Sequence, residues 1–263
     1  MVTVFKETVL ILESALTALG AQIEEPNFFD DSDYPRFRHR EQSNGLAAYL
    51  KAVRIVSALN ASLVLLEHGF IEELGVLFRT IDEFLEDIIF LLSPQADGGS
   101  SETQIKFLDE FYGEEFSDSK NPFMSQQKRH RVPRRKVYAA LGSIMGDIIN
   151  PSDGAKLHRT LSQAMSGFVH GAYPHIMELY GGNPPHFYLN GMLGTPMHES
   201  WVMQARHYYY RGIQALMLLS QAFQNEILTT ELLELRHSFE KKTGLKATDD
   251  PVKGVRDLKK GRN

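Results

Sequence analysis

A chain of 263 residues can bury one large hydrophobic core, and 43% hydrophobic with 23% charged residues is the composition of an ordinary soluble protein. The lack of cysteine excludes disulfides, thiolate nucleophiles and cysteine-ligated metal sites, so any metal would need His, Asp and Glu. A net charge of -5 argues against a general electrostatic attraction to nucleic acid but permits a local basic patch.

The apolar stretches do not predict a membrane segment, because charged residues interrupt them every few positions. The N-terminal stretch carries Lys6, Glu7 and Glu13 within its apolar run. It also lacks the basic leader and the small-residue cleavage site of a signal peptide. We therefore expect a cytoplasmic protein with no membrane partner.

Helical periodicity dominates the chain. Apolar positions recur at three- and four-residue spacing, whereas the alternation typical of strands is hard to find. This pattern predicts an all-α fold, a multi-helix bundle of about eight or nine helices. We expect residues 1–243 to form a single helical domain and the polar residues 244–263 to form a flexible C-terminal tail.

The first part of the chain predicts a helix over residues 3–21, an acidic connection without a helical pattern, and two long helices. Ser43 and Asn44 are good caps for the first long helix, and Gly69 marks its C-terminal end. The second long helix ends before Pro94, because proline disfavours helical backbone in the preceding residue. The two helices are expected to form an antiparallel hairpin.

The second part of the chain predicts shorter helices and one long helix. Their expected ranges are 102–112, 133–149, 153–170, 174–180, 197–229 and 231–242. Ser152 or Asp153 is expected to cap the third of these. The long helix should pack centrally, since one stripe holds its apolar residues: Trp201, Ala205, Tyr208, Gly212, Ala215, Leu219 and Phe223. The segment near 183–196 predicts an irregular loop or a small hairpin.

A line of polar residues follows the predicted helix 153–170. Its members are spaced at i, i+4, i+7 and i+11 and therefore share one face: Arg159, Gln163, Ser166 and His170. The free carbonyls at a helix C-terminus favour a protonated imidazole, so His170 could act as a cation or a donor as readily as a base. The face is either a solvated surface ending in a favourable charge or a functional line.

The junction after this helix holds His170, His175 and Glu178, which together could be interpreted as a metal-ligand set. A catalytic metal needs three converging ligands, and Pro174 carries His170 into a different segment from the other two. We therefore predict packing and capping at a helix junction, with a local pair of His175 and Glu178 and no metal or other cofactor. A metal hydrolase or oxidase is the third functional alternative.

The second long helix carries a row of charged residues. Arg79, Glu83 and Asp87 are successive i+4 neighbours, and Asp82 and Glu86 lie beside them. A di-iron bundle would need Glu-x-x-His on each of two helices, which this chain does not provide. We therefore predict an exposed, salt-bridged face, which could also meet the polar line of the later helix.

A basic run, KRHRVPRRK, occupies residues 128–136 of this otherwise acidic protein. Arg134 and Arg135 lie in the first turn of the helix expected after Pro133, where they could bind phosphate. A simple solvated loop is an equal alternative. Gly-rich phosphate loops, a nucleophile elbow and HExxH are all missing, which excludes the enzyme classes that depend on them.

Two features resemble the HEPN-type helical domains of prokaryotic defence and toxin systems: the hairpin LLEHGFIEELGVLFRTIDEFLEDIIFLL and the later polar-faced helix ending in FVHG. The resemblance spans roughly Leu46 to Gly171. It implies metal-independent action on RNA by an Arg and His pair at a dimer interface. Arg159 and His170 are the candidates for this pair, although the ten residues between them exceed the spacing usual in the family.

The leading hypothesis is therefore a HEPN-like protein that binds or cleaves RNA, or binds nucleotide phosphates. The catalytic candidates are Arg159, Ser166 and His170, since such a histidine must reach a reacting oxygen and such an arginine the phosphate. The substrate-binding candidates are Arg79, Glu83, Arg134 and Arg135. This hypothesis predicts that these side chains converge in one cleft.

The alternative hypothesis is a non-catalytic helical interaction protein that forms a homo-oligomer through a large apolar helix face. In that case the same charged residues only cap and solubilise helices. This hypothesis predicts that they are scattered over the molecule.

Overall fold

The computed structural model describes residues 1–30, 35–93, 99–117, 121–125, 131–144 and 150–245. Within these ranges the chain forms nine α-helices and two short antiparallel ribbons, which confirms the predicted all-α multi-helix bundle. The helices are α1 (Val2–Gly20), α2 (Asn44–His68), α3 (Ile71–Leu92), α4 (Glu102–Tyr112), α5 (Arg134–Ile144), α6 (Pro151–His170), α7 (Tyr173–Glu178), α8 (Pro196–Ala222) and α9 (Glu226–Thr243). The strands pair as β1 (Asn27–Phe29) with β2 (Arg36–Arg38) and β3 (Tyr180–Gly181) with β4 (His186–Phe187).

The hairpin of α2 and α3 forms as predicted. The side chain of Ser43 accepts a hydrogen bond from a backbone N–H of the first turn at 3.2 Å, and Gly69 ends α2 with φ of 76°. A side chain at position 69 would also collide with the backbone of Met192, so both the turn and the packing require glycine. Lys51 early in α2 pairs with Asp87 late in α3 at 2.9 Å, as antiparallel helices require.

The main core lies between α1, α2, α3, α8 and α9. As predicted, α8 packs centrally, and the stripe residues from Trp201 to Leu219 are buried. Two aromatic stacks join it to its neighbours: Phe5 with Tyr209 at 4.1 Å between ring centroids, and Phe78 with Tyr208 at 3.8 Å. The core therefore holds α3 rigidly from one side.

Of the described helices, α2 is long and apolar enough to cross a membrane, by length and composition alone. In this fold it packs against α1, α3 and α8, and its apolar residues, such as Ile55 and Leu59, belong to the core. A helix buried on several sides needs the same apolar composition.

The helix predicted over residues 197–229 is wrong in its C-terminal part, because α8 and α9 are separate helices. Gln224 adopts φ of 55° between them, and the Asn225 side chain caps α9 by accepting from the N–H of Leu228 at 3.1 Å. The break folds α9 back against α8 and buries Leu228 and Leu232. Apolar periodicity continues through the break and therefore does not reveal it.

The predicted caps of α6 are also wrong. This helix starts at Pro151, and Asn150 caps it by accepting from the backbone N–H of Ser152 at 3.0 Å, so neither Ser152 nor Asp153 is the cap. Proline is favoured in the first helical turn because its missing N–H would have no partner there.

Both ribbons are short. The acidic connection after α1 contains the unpredicted ribbon β1–β2, in which Phe28 pairs with Phe37. The hairpin predicted near 183–196 is present, but its strands lie slightly earlier, at Tyr180–Gly181 and His186–Phe187. The remainder of that predicted segment is irregular.

Two predictions fall partly outside the described residues. These are the end of the helix expected over 133–149, of which residues 145–149 are not described, and most of the tail 244–263. Gly244 ends α9 with φ of 69°, and Leu245 is buried against the core. The compact helical part thus includes at least these two residues of the predicted tail.

Candidate functional site

The most extensive charge cluster lies between α3 and its neighbours. Arg134 of α5 donates to both Glu86 and Asp87 of α3. Lys51 of α2 pairs with Asp87 at 2.9 Å, and His158 Nδ1 of α6 donates to Glu86 Oε1 at 3.1 Å. We call these five residues the α3 charge cluster. It connects α2, α3, α5 and α6.

The predicted exposed face of α3 is wrong for two of its carboxylates, because Glu86 is 7% and Asp87 4% exposed. Buried carboxylates are tolerated when cations and hydrogen bonds satisfy them, as Arg134, Lys51 and His158 do here. The helices that pack on α3 cover these carboxylates, and a helical pattern within α3 cannot show which helices do so.

Aromatic rings cover the cations of the α3 charge cluster. The Lys51 ammonium lies 4.9 Å from the ring centre of Phe84, and the Arg134 guanidinium lies 5.3 Å from that of Tyr138. Burial alone would lower the pKa of Arg134, but Asp87 and Glu86 raise it overall. The sequence hypothesis gave Arg134 a substrate-binding role, whereas its guanidinium is directed inward and acts as a structural cation.

A second ion pair on α3 joins it to α8. Arg211 lies 2.9 Å from Asp82 Oδ1, with its guanidinium 4.5 Å from the ring centre of Tyr208. Burial raises the pKa of Asp82 to about 6, and Arg211 opposes part of this increase. Sequence reasoning placed Asp82 in the charged row but missed Arg211, since their partnership depends on how α8 packs.

Arg79 and Glu83, two further substrate-binding candidates, pair with each other. The distance between Arg79 Nη2 and Glu83 Oε1 is 2.5 Å, at i, i+4 spacing on α3. Arg79 Nη1 is buried without a hydrogen-bond partner among the described residues. Within the described residues, no hydrogen bond or ion pair connects this pair to Arg159, Ser166 or His170.

The polar line of α6 does not converge on one point. Arg159, Gln163 and His170 are exposed, and Ser166 is half-buried. Because an α-helix rises about 1.5 Å per residue, Arg159 and His170 lie roughly 16 Å apart along the axis. A single molecule therefore presents them at two ends of a helix face.

The junction after α6 is built by packing. His175 packs on Phe168 at 4.0 Å between ring centres, and a side chain at Gly167 would collide with the His175 ring. His175 Nδ1 lies 3.5 Å from Glu178 Oε1, which forms the predicted local pair. In the described part of the chain, no three His, Asp or Glu residues are arranged to hold a metal ion.

Sequence reasoning missed Glu72, which lies in the first turn of α3. Burial raises the pKa of Glu72 to about 7, and the nearby carboxylates Glu178 and Glu73 add to this. Its Oε1 is shielded from solvent without a hydrogen-bond partner among the described residues. The only sequence signal was an acidic residue beside the apolar helix start FIEELG.

Unlike the α3 charge cluster, the outer side of α5 and α6 carries exposed cations. We call them the α5–α6 basic face: Arg131, Arg135, Lys136, Lys156 and Arg159. Among the described residues, no carboxylate forms an ion pair with any of them. The two helices approach closely, since a Cβ at Gly142 would lie 2.2 Å from the carbonyl oxygen of Pro151. Arg135, a substrate-binding candidate, belongs to this face.

A shallow cavity of about 250 Å³ lies elsewhere, where the end of α1 meets the start of α2 and the end of α8. Its lining includes Gln22, Glu41, Ser43 and Phe223. None of the predicted site residues lines it. The cleft expected from the leading hypothesis is therefore not this cavity.

Comparison with known proteins identifies no relative. No family model, no curated protein and no solved structure matches this chain. The resemblance to HEPN domains therefore stays a prediction, and functional inference depends on the geometry of the described residues.

Proposed function

We propose that this protein binds RNA through the α5–α6 basic face. The observation that carries the proposal is the exposure of Arg135 and Arg159 on two tightly packed helices, with no carboxylate partner among the described residues. In a chain of net charge -5, such a group of cations is a local departure from the overall charge. Phosphate groups would neutralise these cations and release counterions.

The neighbouring Arg134 supports a distinct role for the exposed cations. Because Arg134 is occupied by Glu86 and Asp87, it anchors the start of α5. Arg135 is the next residue and faces outward. A fixed helix with outward cations needs little ordering when it binds a phosphate chain.

The finer proposal is metal-independent RNA cleavage in the cytoplasm, as the HEPN resemblance implies. Arg159 would hold a phosphate, Ser166 would support it, and His170 would transfer a proton at a reacting oxygen. Since Arg159 and His170 are roughly 16 Å apart along α6, one phosphate can meet both only if a second copy supplies one of them. Binding can occur without this condition, and cleavage cannot.

The test measures binding of a fluorescent single-stranded RNA by anisotropy over a series of salt concentrations. The double variant Arg135→Ala and Arg159→Ala should weaken binding at least tenfold, and it should reduce the salt slope by about two, one for each lost phosphate contact. The matched control is Lys241→Ala, which removes an exposed cation of α9 far along the chain. Equal affinities of the double variant and the control would refute the basic face as the RNA site.

Cleavage is tested separately, with the same RNA in the presence of EDTA. Loss of cleavage in His170→Ala, with RNA binding retained, would support the catalytic proposal. Absence of cleavage by the wild-type protein would leave RNA binding as the function and remove the catalytic roles of Arg159, Ser166 and His170.

A second candidate function is a non-catalytic interaction protein that forms a homo-oligomer. It is favoured by a separate observation: exposed apolar side chains are concentrated in residues 169–197, beyond the α5–α6 basic face.

A further inference from the structure

The segment from α6 to the start of α8 exposes an unusual number of large apolar side chains. Tyr173 and Leu189 are 77% and 78% exposed, respectively. We call the whole set the apolar surface: Val169, Tyr173, Ile176, Tyr180, Phe187, Leu189, Leu193 and Met197. Tyr180 and Phe187 contact each other edge to face, at 4.8 Å between ring centres.

The apolar surface also lacks cations. No Lys or Arg occurs between Arg159 and Arg206, and Glu178 and Glu199 are the acidic residues of that interval. In a chain with 23% charged residues, this depletion is local. Aromatic enrichment combined with depletion of charge is typical of the buried centre of protein interfaces.

The backbone beneath the apolar surface is fixed to the bundle. Met192 N–H donates to the carbonyl of Gly69 at 2.8 Å, which ties the segment to the α2–α3 turn. His198 Nε2 donates to the carbonyl of Leu66, also at 2.8 Å, and the N–H of Tyr188 donates to the carbonyl of Leu179. An apolar surface on a fixed backbone loses little conformational entropy when it is covered.

We propose that the apolar surface is the interface through which two copies of this chain form a symmetric dimer. The inference rests on the second candidate function, self-association, and specifies where it takes place. It does not depend on RNA binding, which uses a different set of residues.

The size of the surface fits a second copy. Large side chains bury about 150–250 Å² each, so eight that are on average half exposed present roughly 700 Å². A standard stable interface buries about 800 Å² on each partner, whereas the largest apolar patch on a monomer is typically about 300–600 Å². The surface is thus nearly sufficient for one side of a dimer before its polar rim is included.

Charge separates this partner from other classes. RNA and anionic lipid surfaces are bound through Lys and Arg, which the apolar surface lacks. A second copy presents the same uncharged residues, so that a two-fold arrangement brings apolar groups together without repulsion between cations. The acidic Glu178 can remain at the rim, because its side chain is 30% exposed.

The test uses the full chain and measures mass by light scattering after size-exclusion chromatography, with a dilution series by analytical ultracentrifugation. The wild-type protein should have twice the chain mass of 29.8 kDa. The double variant Tyr173→Glu and Leu189→Glu should raise the dimer dissociation constant about 100-fold or more, because each change places a charge in the interface centre. Both side chains are more than three-quarters exposed, so the fold should be retained, and circular dichroism checks this.

The matched control is Ile227→Glu, which changes an equally exposed residue of α9 outside the apolar surface and should leave the dimer intact. A monomeric wild-type protein would overturn both the interface and self-association. A dimer unaffected by the double variant would overturn the interface alone. Cosedimentation of a monomeric wild-type protein with phosphatidylcholine and phosphatidylserine vesicles, lost in the double variant, would assign the surface to a membrane and overturn the dimer.

Discussion

Arg134 and Arg135 are adjacent in sequence at the start of α5, yet Arg134 donates to the buried carboxylates Glu86 and Asp87 whereas Arg135 is exposed. One residue step on a helix rotates a side chain by about 100°, which is enough to separate an inward from an outward direction. The basic run therefore has two physical roles. Arg134 joins α5 to α3, and Arg135 is free to meet a ligand.

Replacing Arg134 with Ala should lower the free energy of unfolding by about 3 kcal/mol, because Glu86 and Asp87 would lose a buried partner. Replacing Arg135 with Ala should change it by less than about 0.5 kcal/mol, as is usual for exposed side chains. Urea denaturation followed by circular dichroism measures both values. Similar losses for the two variants would contradict the inward role of Arg134.

Stability should depend on pH through Glu72, whose pKa rises from its ordinary value of 4.5 to about 7 in the folded protein. The folded state keeps this proton at pH values where the unfolded state has lost it, so stability is complete below about pH 4.5 and falls as pH rises to about 7. The variant Glu72→Gln cannot lose the proton and should therefore make stability less dependent on pH.

The measurement compares urea midpoints at about pH 5 and about pH 8 for the wild-type protein and Glu72→Gln. Some dependence should remain in the variant, because the pKa of Asp82 is also raised, to about 6. The variant Glu73→Gln is the matched control, since Glu73 is an exposed carboxylate beside Glu72. If Glu72→Gln and Glu73→Gln have the same pH dependence, burial of Glu72 is not its cause.

Gly142 should be required for the close packing of α5 on α6. A Cβ there would lie 2.2 Å from the carbonyl oxygen of Pro151, so Gly142→Ala must separate the two helices and should cost about 1–3 kcal/mol despite the better helix propensity of alanine. The control Gly45→Ala has no atom closer than 3.9 Å to the new Cβ and should be neutral or slightly stabilising.

The Gly142 variant also has a functional expectation. Because Arg135 and Arg159 lie on different helices, their separation should weaken RNA binding several-fold while Gly45→Ala leaves it unchanged. Thermal unfolding and RNA anisotropy on the same samples provide both readouts. A stable Gly142→Ala protein would show that α5 and α6 can adjust without cost.

Local signals in the sequence were sufficient for most of the helices. The bounds of α4 match the prediction, and Ser43 and Gly69 cap α2 as expected, because a cap uses side chains and N–H groups within a few residues. The break between α8 and α9 was missed. Gln224 and Asn225 end one helix and cap the next, but the apolar stripe continues past them and the packing of α9 on α8 decides the direction of the chain.

The candidate sites depended more strongly on tertiary structure. The sequence by itself determined that α3 carries a charged row, that α6 carries a polar line and that the start of α5 is basic. Only the folded structure paired Arg134 with Glu86, 48 residues away, and Asp82 with Arg211, and it placed Tyr173 and Leu189 on a surface without cations. Helix periodicity depends on neighbours three or four residues apart, whereas ion pairing and exposure depend on which helices meet, and that is decided by burial of the core as a whole.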